Sequence, residues 1–237
     1  MARLTYHGHS CFELATDTGS TVMFDPFLDD NPIADVKTAD VEHVDFILCS
    51  HGHYDHFPDG LTLARRTGAT MIGTFELMAF AEKEGVEKVH RMNVGGGFSF
   101  PFGYVKMTPA MHSGTVAGDS EGAFTTHANG FWIDLKPGHG QEGRKRLYHA
   151  GDTALLMDMQ LLRGRVDVAL LPIGDNFTMG PEDAARAVEF IGPRVVIPMH
   201  YNTWPPIAQD AEKWAHRVRE ETTAVPVVLK PGESCGF

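Results

Sequence analysis

The chain has 237 residues, 43% of them hydrophobic and 22% charged, which is typical of one large or two small globular domains. The formal net charge is −11 and no basic run is longer than residues 144–146, which argues against an extended nucleic-acid surface. No apolar run approaches the ~20 residues of a membrane span, and no signal peptide precedes the first strand. Three cysteines without motif spacing disfavour a disulfide framework, so we expect a cytoplasmic protein. No linker divides residues 1–237, which predicts a single domain.

The N-terminal region reads as short alternating strands joined by turns. Strands are predicted at residues 4–6, 11–15 and 21–24. His7 and His9 lie in the first turn, where hydrogen bonds to backbone groups and a role beside a substrate are both open. Asp25 ends the third strand and precedes a proline, so a role limited to starting a turn is open. Residues 29–43 are polar and contain proline, so we expect a loop there with at most one helical turn.

Residues 49–57 hold the densest group of metal-ligand side chains in the sequence. A buried strand is predicted at 44–49, and the loop after it carries His51, His53, Asp55 and His56. The first two histidines are two apart in extended chain, so both rings can project to one side, and the other two ligands follow as the chain turns. Four ligands exceed the three that a catalytic zinc typically takes from protein, so the spacing predicts two adjacent metals. The alternative, a chance cluster on a solvated loop, is disfavoured by the apolar strand before it.

Beyond this loop, strands alternate with helical patterns, which is typical of α/β architecture. Helices are predicted at residues 61–67, 75–83, 181–190 and 207–221. The glycines at 95–97 fall between predicted strands at 89–92 and 98–102. They lack the frame of a phosphate loop, so we interpret them as a hairpin turn. An exposed turn is predicted at 136–146 and a last strand at 225–229.

Three later strands also end at residues that bind metals, namely His112, Asp152 and His200. Alone, a histidine at the end of a strand is more often structural, but beside the first cluster we interpret it as a ligand. Neighbouring loops, which would border a site at these strand ends, are predicted at residues 114–128, 175–179 and 201–204. Asn202 and Trp204 belong to the last of them, and for both a pocket role and simple packing stay open.

The pattern His51-x-His53-x-Asp55-His56 resembles the signature of the metallo-β-lactamase superfamily of metal-dependent hydrolases, and the resemblance spans about residues 5–232. The opening at residues 6–10 is similar to the branch that includes ascorbate-phosphate lactonases, and most similar to the UPF0173 type of small hydrolase. This resemblance implies an α/β fold of the αββα kind, a four-layer sandwich of two mixed sheets flanked by helices.

The resemblance also implies roles for individual residues. One metal would be held by His51, His53 and His112, the other by Asp55, His56 and His200, with Asp152 as the bridging ligand. Asp55 would accept or shuttle a proton, which with Asp152 makes two catalytic carboxylates, and Asp25 would brace the metal loop. Five histidines and two aspartates suit two zinc ions, with manganese or iron as alternatives.

We therefore expect a hydrolase in which a metal-activated hydroxide attacks a small ester, lactone or amide. A phosphodiesterase of the same superfamily is the alternative, and a metal-binding sensor or a di-iron redox protein is the alternative from another class. The predicted partner is a small-molecule substrate, with no nucleic acid and no membrane, and the sequence is compatible with a homo-oligomer.

Overall fold

The computed structural model describes residues 2–139 and 143–237, which contain two seven-stranded sheets. The predicted turn at 136–146 therefore lies partly outside the described residues, and its His139 is exposed. Within the two described ranges, none of the helices combines the length and the apolar character that crossing a membrane requires.

The N-terminal sheet follows chain order. It contains β1 (Arg3–Gly8), β2 (Cys11–Ala15), β3 (Thr21–Phe24), β4 (Phe46–Leu48), β5 (Thr70–Thr74) and β6 (Val89–Met92). The first three strands pair antiparallel and the rest parallel, so the sheet is mixed.

The C-terminal sheet repeats this plan. It contains β7 (Gly97–Phe100), β8 (Gly103–Pro109), β9 (Asn129–Leu135), β10 (Lys145–His149), β11 (Val168–Pro172), β12 (Val195–Met199) and β13 (Val225–Pro226). Strands β7 to β10 pair antiparallel and β10 to β13 parallel. The last strand, β14 (Ser234–Gly236), returns to the N-terminal sheet and pairs with β1.

Alternating side chains on the N-terminal sheet give the molecule its layers. Leu48 and Ile72 point into the large core shared with the C-terminal sheet, whereas Ile47, Cys49 and Met71 point into a second core on the opposite face. That opposite face is covered by α1 (Pro58–Thr67) and α2 (Phe75–Lys83), and α3 (Pro181–Ile191) and α4 (Ala211–Glu221) pack with the C-terminal sheet. The result is the expected four-layer sandwich of helices outside two mixed sheets.

The ends of the helices have local causes. Pro58 and Pro181 occupy the first turns of α1 and α3, where a missing backbone N–H costs nothing. Both helices end at a left-handed glycine, Gly68 with φ 71° and Gly192 with φ 60°. The second helix has the predicted bounds.

Four predictions about elements were wrong. The first helix begins at Pro58 rather than at residue 61, because a proline fits the first helical turn. The glycines at 95–97 do not close a hairpin, because β6 and β7 belong to different sheets and the chain crosses between the sheets there. The last helix begins at Ala211 rather than at residue 207, because residues 205–207 form a separate 3-10 turn and Asp210 caps the helix by accepting the N–H of Lys213. The predicted strand at 225–229 pairs only over its first two residues.

Candidate metal centre

The predicted ligands converge because their strands end at the same edge of the sandwich. The loop after β4 in the N-terminal sheet brings His51, His53, Asp55 and His56. The segments after β8, β10 and β12 in the C-terminal sheet bring His112, Asp152 and His200. The structure thus brings all seven predicted ligand positions together, four from one sheet and three from the other.

The first group is His51, His53 and His112. His51 Nε2 lies 2.9 Å from His53 Nδ1, which lies 3.3 Å from His112 Nε2. Zinc–nitrogen bonds of about 2.0–2.1 Å in a tetrahedral site place ligand nitrogens about 3.3 Å apart. The three nitrogens therefore have a spacing that one small ion would fit.

The second group is Asp55, His56 and His200. Asp55 Oδ2 lies 3.7 Å from His56 Nε2 and 3.9 Å from His200 Nε2. These side chains are buried, so the carboxylate and both rings face one another in an enclosed space. The spacing is wider than in the first group and is consistent with a second ion.

Asp152 lies between the two groups. Its Oδ2 is 3.6 Å from His112 Nε2 and 3.9 Å from His51 Nε2 on one side, and 3.3 Å from His56 Nε2 and 3.0 Å from His200 Nε2 on the other. Its Oδ1 and the Nε2 of His56 are buried and have no hydrogen-bond partner among the described residues. Buried polar atoms are rarely left unsatisfied, so these orphaned atoms and the His/Asp donor set fit bound metal ions.

Asp25 orders the rings of both groups. Its Oδ1 accepts the backbone N–H of Ser50 at 2.7 Å, and its Oδ2 accepts the Ser50 hydroxyl at 2.6 Å and His56 Nδ1–H at 3.0 Å. Because the Ser50 hydroxyl donates to the carboxylate, its oxygen accepts from His51 Nδ1–H at 3.0 Å. Both histidines are thereby held in the tautomer that leaves Nε2 free for a metal.

His9 contacts the second group through Asp55. Its Nε2 lies 3.1 Å from Asp55 Oδ2 and its Nδ1 lies 2.8 Å from Thr203 Oγ1. An ionised carboxylate only accepts hydrogen bonds, so Nε2–H donates to Asp55 and Nδ1 accepts from Thr203. His9 therefore contacts the metal-ligand cluster through Asp55 and is held from its other side by Thr203. His7 instead pairs with Asp35, at 2.9 Å between Nδ1 and Oδ1.

Except at His56, the buried charges favour the protonation states that metal binding requires. Burial alone would raise the pKa of Asp152, but the imidazoles of His200 and His56 outweigh it and hold that pKa well below its ordinary value. Burial, reinforced by neighbouring rings, lowers the pKa of His51 and brings that of His9 to about 3. His56 differs, because the charges of Asp152 and Asp55 outweigh its burial and raise its pKa.

Backbone strain is concentrated at this centre. Among the described residues, six that are not glycine have positive φ angles, namely His9, Asp25, Asp175, Asn176, His200 and Asn202. The backbone N–H of His200 donates to the carbonyl of His9 at 2.8 Å, which ties the two sheets together at the centre. Such conformations are costly and persist where the surrounding structure fixes them, which is common at functional sites.

His149 supports the Asp152 loop from inside the core. Its ring stacks on Phe24 at 5.2 Å between centroids and makes an edge contact with Phe12. Its Nε2 donates to the carbonyl of Ser10 at 3.1 Å, and its Nδ1 accepts the N–H of Gly151 at 3.1 Å. The ring thereby fixes the residue just before Asp152. His149 was not predicted to support the site, although it lies only three residues before Asp152.

A cavity of about 480 Å³ opens beside the metal-ligand groups. His53, Asp55 and His112 line one part of it, and Tyr54, Phe177 and Trp204 line another. The sequence placed the loops of Phe177 and Trp204 near the site but missed Tyr54, which lies inside the metal motif itself. Asn202 turns away and accepts the N–H of Gln209. A second cavity of about 420 Å³, beneath the turn Met157–Leu162, contains none of the predicted ligands.

Comparison with known proteins agrees with this geometry. The profile described as a beta-lactamase superfamily domain matches residues 20–201. A UPF0173 metal-dependent hydrolase from Symbiobacterium thermophilum is 48% identical over 237 residues, 98% of each chain, and one from Enterococcus faecalis is 44% identical over 230 residues, 96% of each. A metallo hydrolase from Ignicoccus hospitalis superposes with a TM-score of 0.86 at 33% identity, covering 100% of this chain and 99% of that one. The chain thus belongs to the UPF0173 family of metal-dependent hydrolases in the beta-lactamase superfamily.

Proposed function

We propose that the protein is a dinuclear metal-dependent hydrolase acting on a small ester, lactone or amide. The observation that carries the proposal is Asp152, one oxygen of which faces imidazole nitrogens of both ligand groups within 3.9 Å. One ion would be held by His51, His53 and His112, the other by Asp55, His56 and His200, with Asp152 shared between them. Residues 1–237 would form one catalytic domain.

When bound, two zinc ions would supply Lewis acidity and a water that ionises near neutral pH, and manganese or iron could replace zinc. The remaining work falls to the chain. Asp55 lines the cavity and holds its carboxylate ionised, because His56 and the hydrogen bond from His9 outweigh burial and lower its pKa. Its place in the cavity lining would let it take a proton briefly at Oδ2 from an entering group and pass it on, since the lowered pKa disfavours keeping the proton. The hydrogen bond from His9 keeps that oxygen in position.

Orientation and exclusion of water are the other roles of the chain. Tyr54, Phe177 and Trp204 cover part of the cavity with apolar surface, which would keep bulk water from the reacting bond. Asp25 and Ser50 hold the rings of His51 and His56 in one tautomer. The ligand geometry would then be set before any substrate arrives, as preorganised catalysis requires.

The test combines metal counting with hydrolysis. Purified protein, its chelator-stripped form and a zinc-reconstituted form would be compared by mass spectrometry and with 4-nitrophenyl esters, simple lactones and bis-p-nitrophenyl phosphate. We expect about two ions per chain and ester or lactone turnover that is lost on stripping and restored by zinc. Turnover of the phosphodiester alone would favour the phosphodiesterase alternative. Two ions without turnover of any substrate would favour a metal-binding sensor, and fewer than one ion would contradict the dinuclear centre.

A further inference from the structure

One part of the cavity lining is polar and consists of metal ligands, and another part is aromatic. Phe27, Tyr54 and Trp204 contact one another in a triangle, with ring centroids 5.9 Å apart for Phe27 and Tyr54 and 5.8 Å apart for the other two pairs. Trp204 also meets His9 at 5.1 Å, so the triangle is continuous with the metal-ligand cluster. Phe27 is buried at its base, whereas Tyr54 is 58% exposed although it packs on two rings.

Phe177 adds a fourth ring to the same cavity from a separate loop, and it is 55% exposed. The two residues before it, Asp175 and Asn176, both have positive φ angles, 61° and 51°. The backbone N–H of Phe177 donates to the carbonyl of Asp175, and Asp175 N–H donates to the carbonyl of Met179 at 3.0 Å. A strained and internally bonded turn thus holds a large apolar ring in a solvent-exposed cavity, at a cost that a ligand contact would offset.

The charges of the cavity define what such a ligand can carry. Apart from Tyr54, its polar lining residues are the predicted ligands His53, Asp55 and His112 and the neighbouring Ser113. Among the described residues, no lysine or arginine lines it. A negative group on the substrate away from the reacting bond would therefore meet aromatic rings and no counterion, in a chain of net charge −11.

We propose that Tyr54, Trp204 and Phe177, here called the aromatic wall, select acyl substrates that carry a flat and uncharged group next to the scissile bond. This rests on the proposed function, since the metal ligands would hold the carbonyl end. The wall binds the other end by stacking and apolar contact, which suits a planar ring or a flat conjugated chain. It disfavours substrates with a remote carboxylate or phosphate.

Three esters that share the 4-nitrophenolate leaving group test this selection on the zinc-reconstituted protein. They are the 4-methylbenzoate, the terephthalate monoester and the acetate. The first two have the same flat shape and differ in one remote carboxylate. We expect kcat/KM for the 4-methylbenzoate to exceed that for the terephthalate monoester by about tenfold or more. In Phe177→Ala and Trp204→Ala the ratio of 4-methylbenzoate to acetate should fall about tenfold. Phe98→Ala, which removes a 48% exposed ring outside the cavity, is the matched control and should keep the ratio.

A binding measurement separates this inference from the proposed function. Saturable quenching of tryptophan fluorescence by 4-nitrotoluene, absent in Trp204→Phe and weakened in Phe177→Ala, would support the aromatic wall even without hydrolysis. No saturable quenching, equal kcat/KM for the two flat esters, or equal losses for all three esters in the wall variants would overturn it. Saturable quenching without turnover of any ester would support the aromatic wall and contradict the proposed ester hydrolysis.

Discussion

Asp25→Asn tests the tautomer control in the metal centre. The asparagine keeps the shape and can still accept the Ser50 N–H through its oxygen. Its NH2 group, however, would face His56 Nδ1–H, which is 3.0 Å from Oδ2 in the native protein. Two donors cannot bond, so His56 would have to place its hydrogen on Nε2, the atom that faces Asp152 and the proposed metal.

The size of the effect follows from the bonds that change. The aspartate is fully buried, and the substitution removes a charge-assisted hydrogen bond from His56, so we expect the metal-free protein to lose about 1.5–3 kcal/mol of unfolding free energy. A lost supporting hydrogen bond typically weakens metal affinity about 10–100-fold. At saturating zinc, this corresponds to about 1.4–2.7 kcal/mol less stabilisation by each affected ion.

The assay is zinc affinity by chelator competition, together with urea unfolding in the presence and absence of zinc. Ser50→Ala is the companion variant, since it removes the hydroxyl bridge to His51 and leaves the contact between Asp25 and His56. Asp45→Asn is the matched control, because that carboxylate accepts the N–H of Thr21 at the other end of β4. Zinc affinities within twofold of the wild type in Asp25→Asn, with only the metal-free stability lowered, would refute the tautomer argument and leave Asp25 a support of the fold.

Three further predictions concern the same region. Asp152→Ala should lower the occupancy of at least one of the two proposed ions and abolish hydrolysis. An unchanged metal content per chain would contradict the bridging role of Asp152. Burial lowers the pKa of His149 below its ordinary 6.5. Between the lowered pKa and pH 6.5, the imidazole therefore binds a proton in the unfolded chain and not in the folded chain. Its contribution to unfolding free energy is therefore full above pH 6.5 and falls at lower pH, and His149→Asn should flatten the slope of stability against pH measured by urea unfolding between about pH 7 and 5. Gly52→Ala would place a Cβ 2.9 Å from Val116 Cα, which should cost about 1–3 kcal/mol in chemical denaturation, and a stability within error of the wild type would show that the segment after His112 moves freely.

The convergence of the candidate ligands was predictable because each follows an apolar strand, and strand ends are visible in local sequence. Of the supporting residues, Asp25 was expected from the family resemblance, but His149 and the partners of His9 were not, because their contacts join distant parts of the chain. His9 and Thr203 are 194 residues apart, and His149 and Ser10 are 139 apart. Local periodicity in the sequence cannot reveal two residues so far apart, so these contacts are seen only in the folded structure.

The errors about elements have a similar origin. Gly95, Gly96 and Gly97 permit a turn whether the next strand pairs with the last or joins another sheet, and only tertiary packing decides between the two. The start of α4 was placed too early because Ile207 has the apolar character of the helix, while the capping aspartate at residue 210 was the better signal. The fold class itself came from the resemblance, since alternating strands and helices fit several α/β arrangements.

The division of the ligand positions between the two sheets has a consequence for biosynthesis. The loop of His51 and His53 is translated long before His200, which follows β12 in the other sheet. Early capture of an ion by the loop alone would be weak and exchangeable, because three of the seven candidate donors would be missing. Complete loading would therefore be a late step of maturation, limited by docking of the two sheets, and the ion retained would depend on the metals available in the compartment where docking occurs.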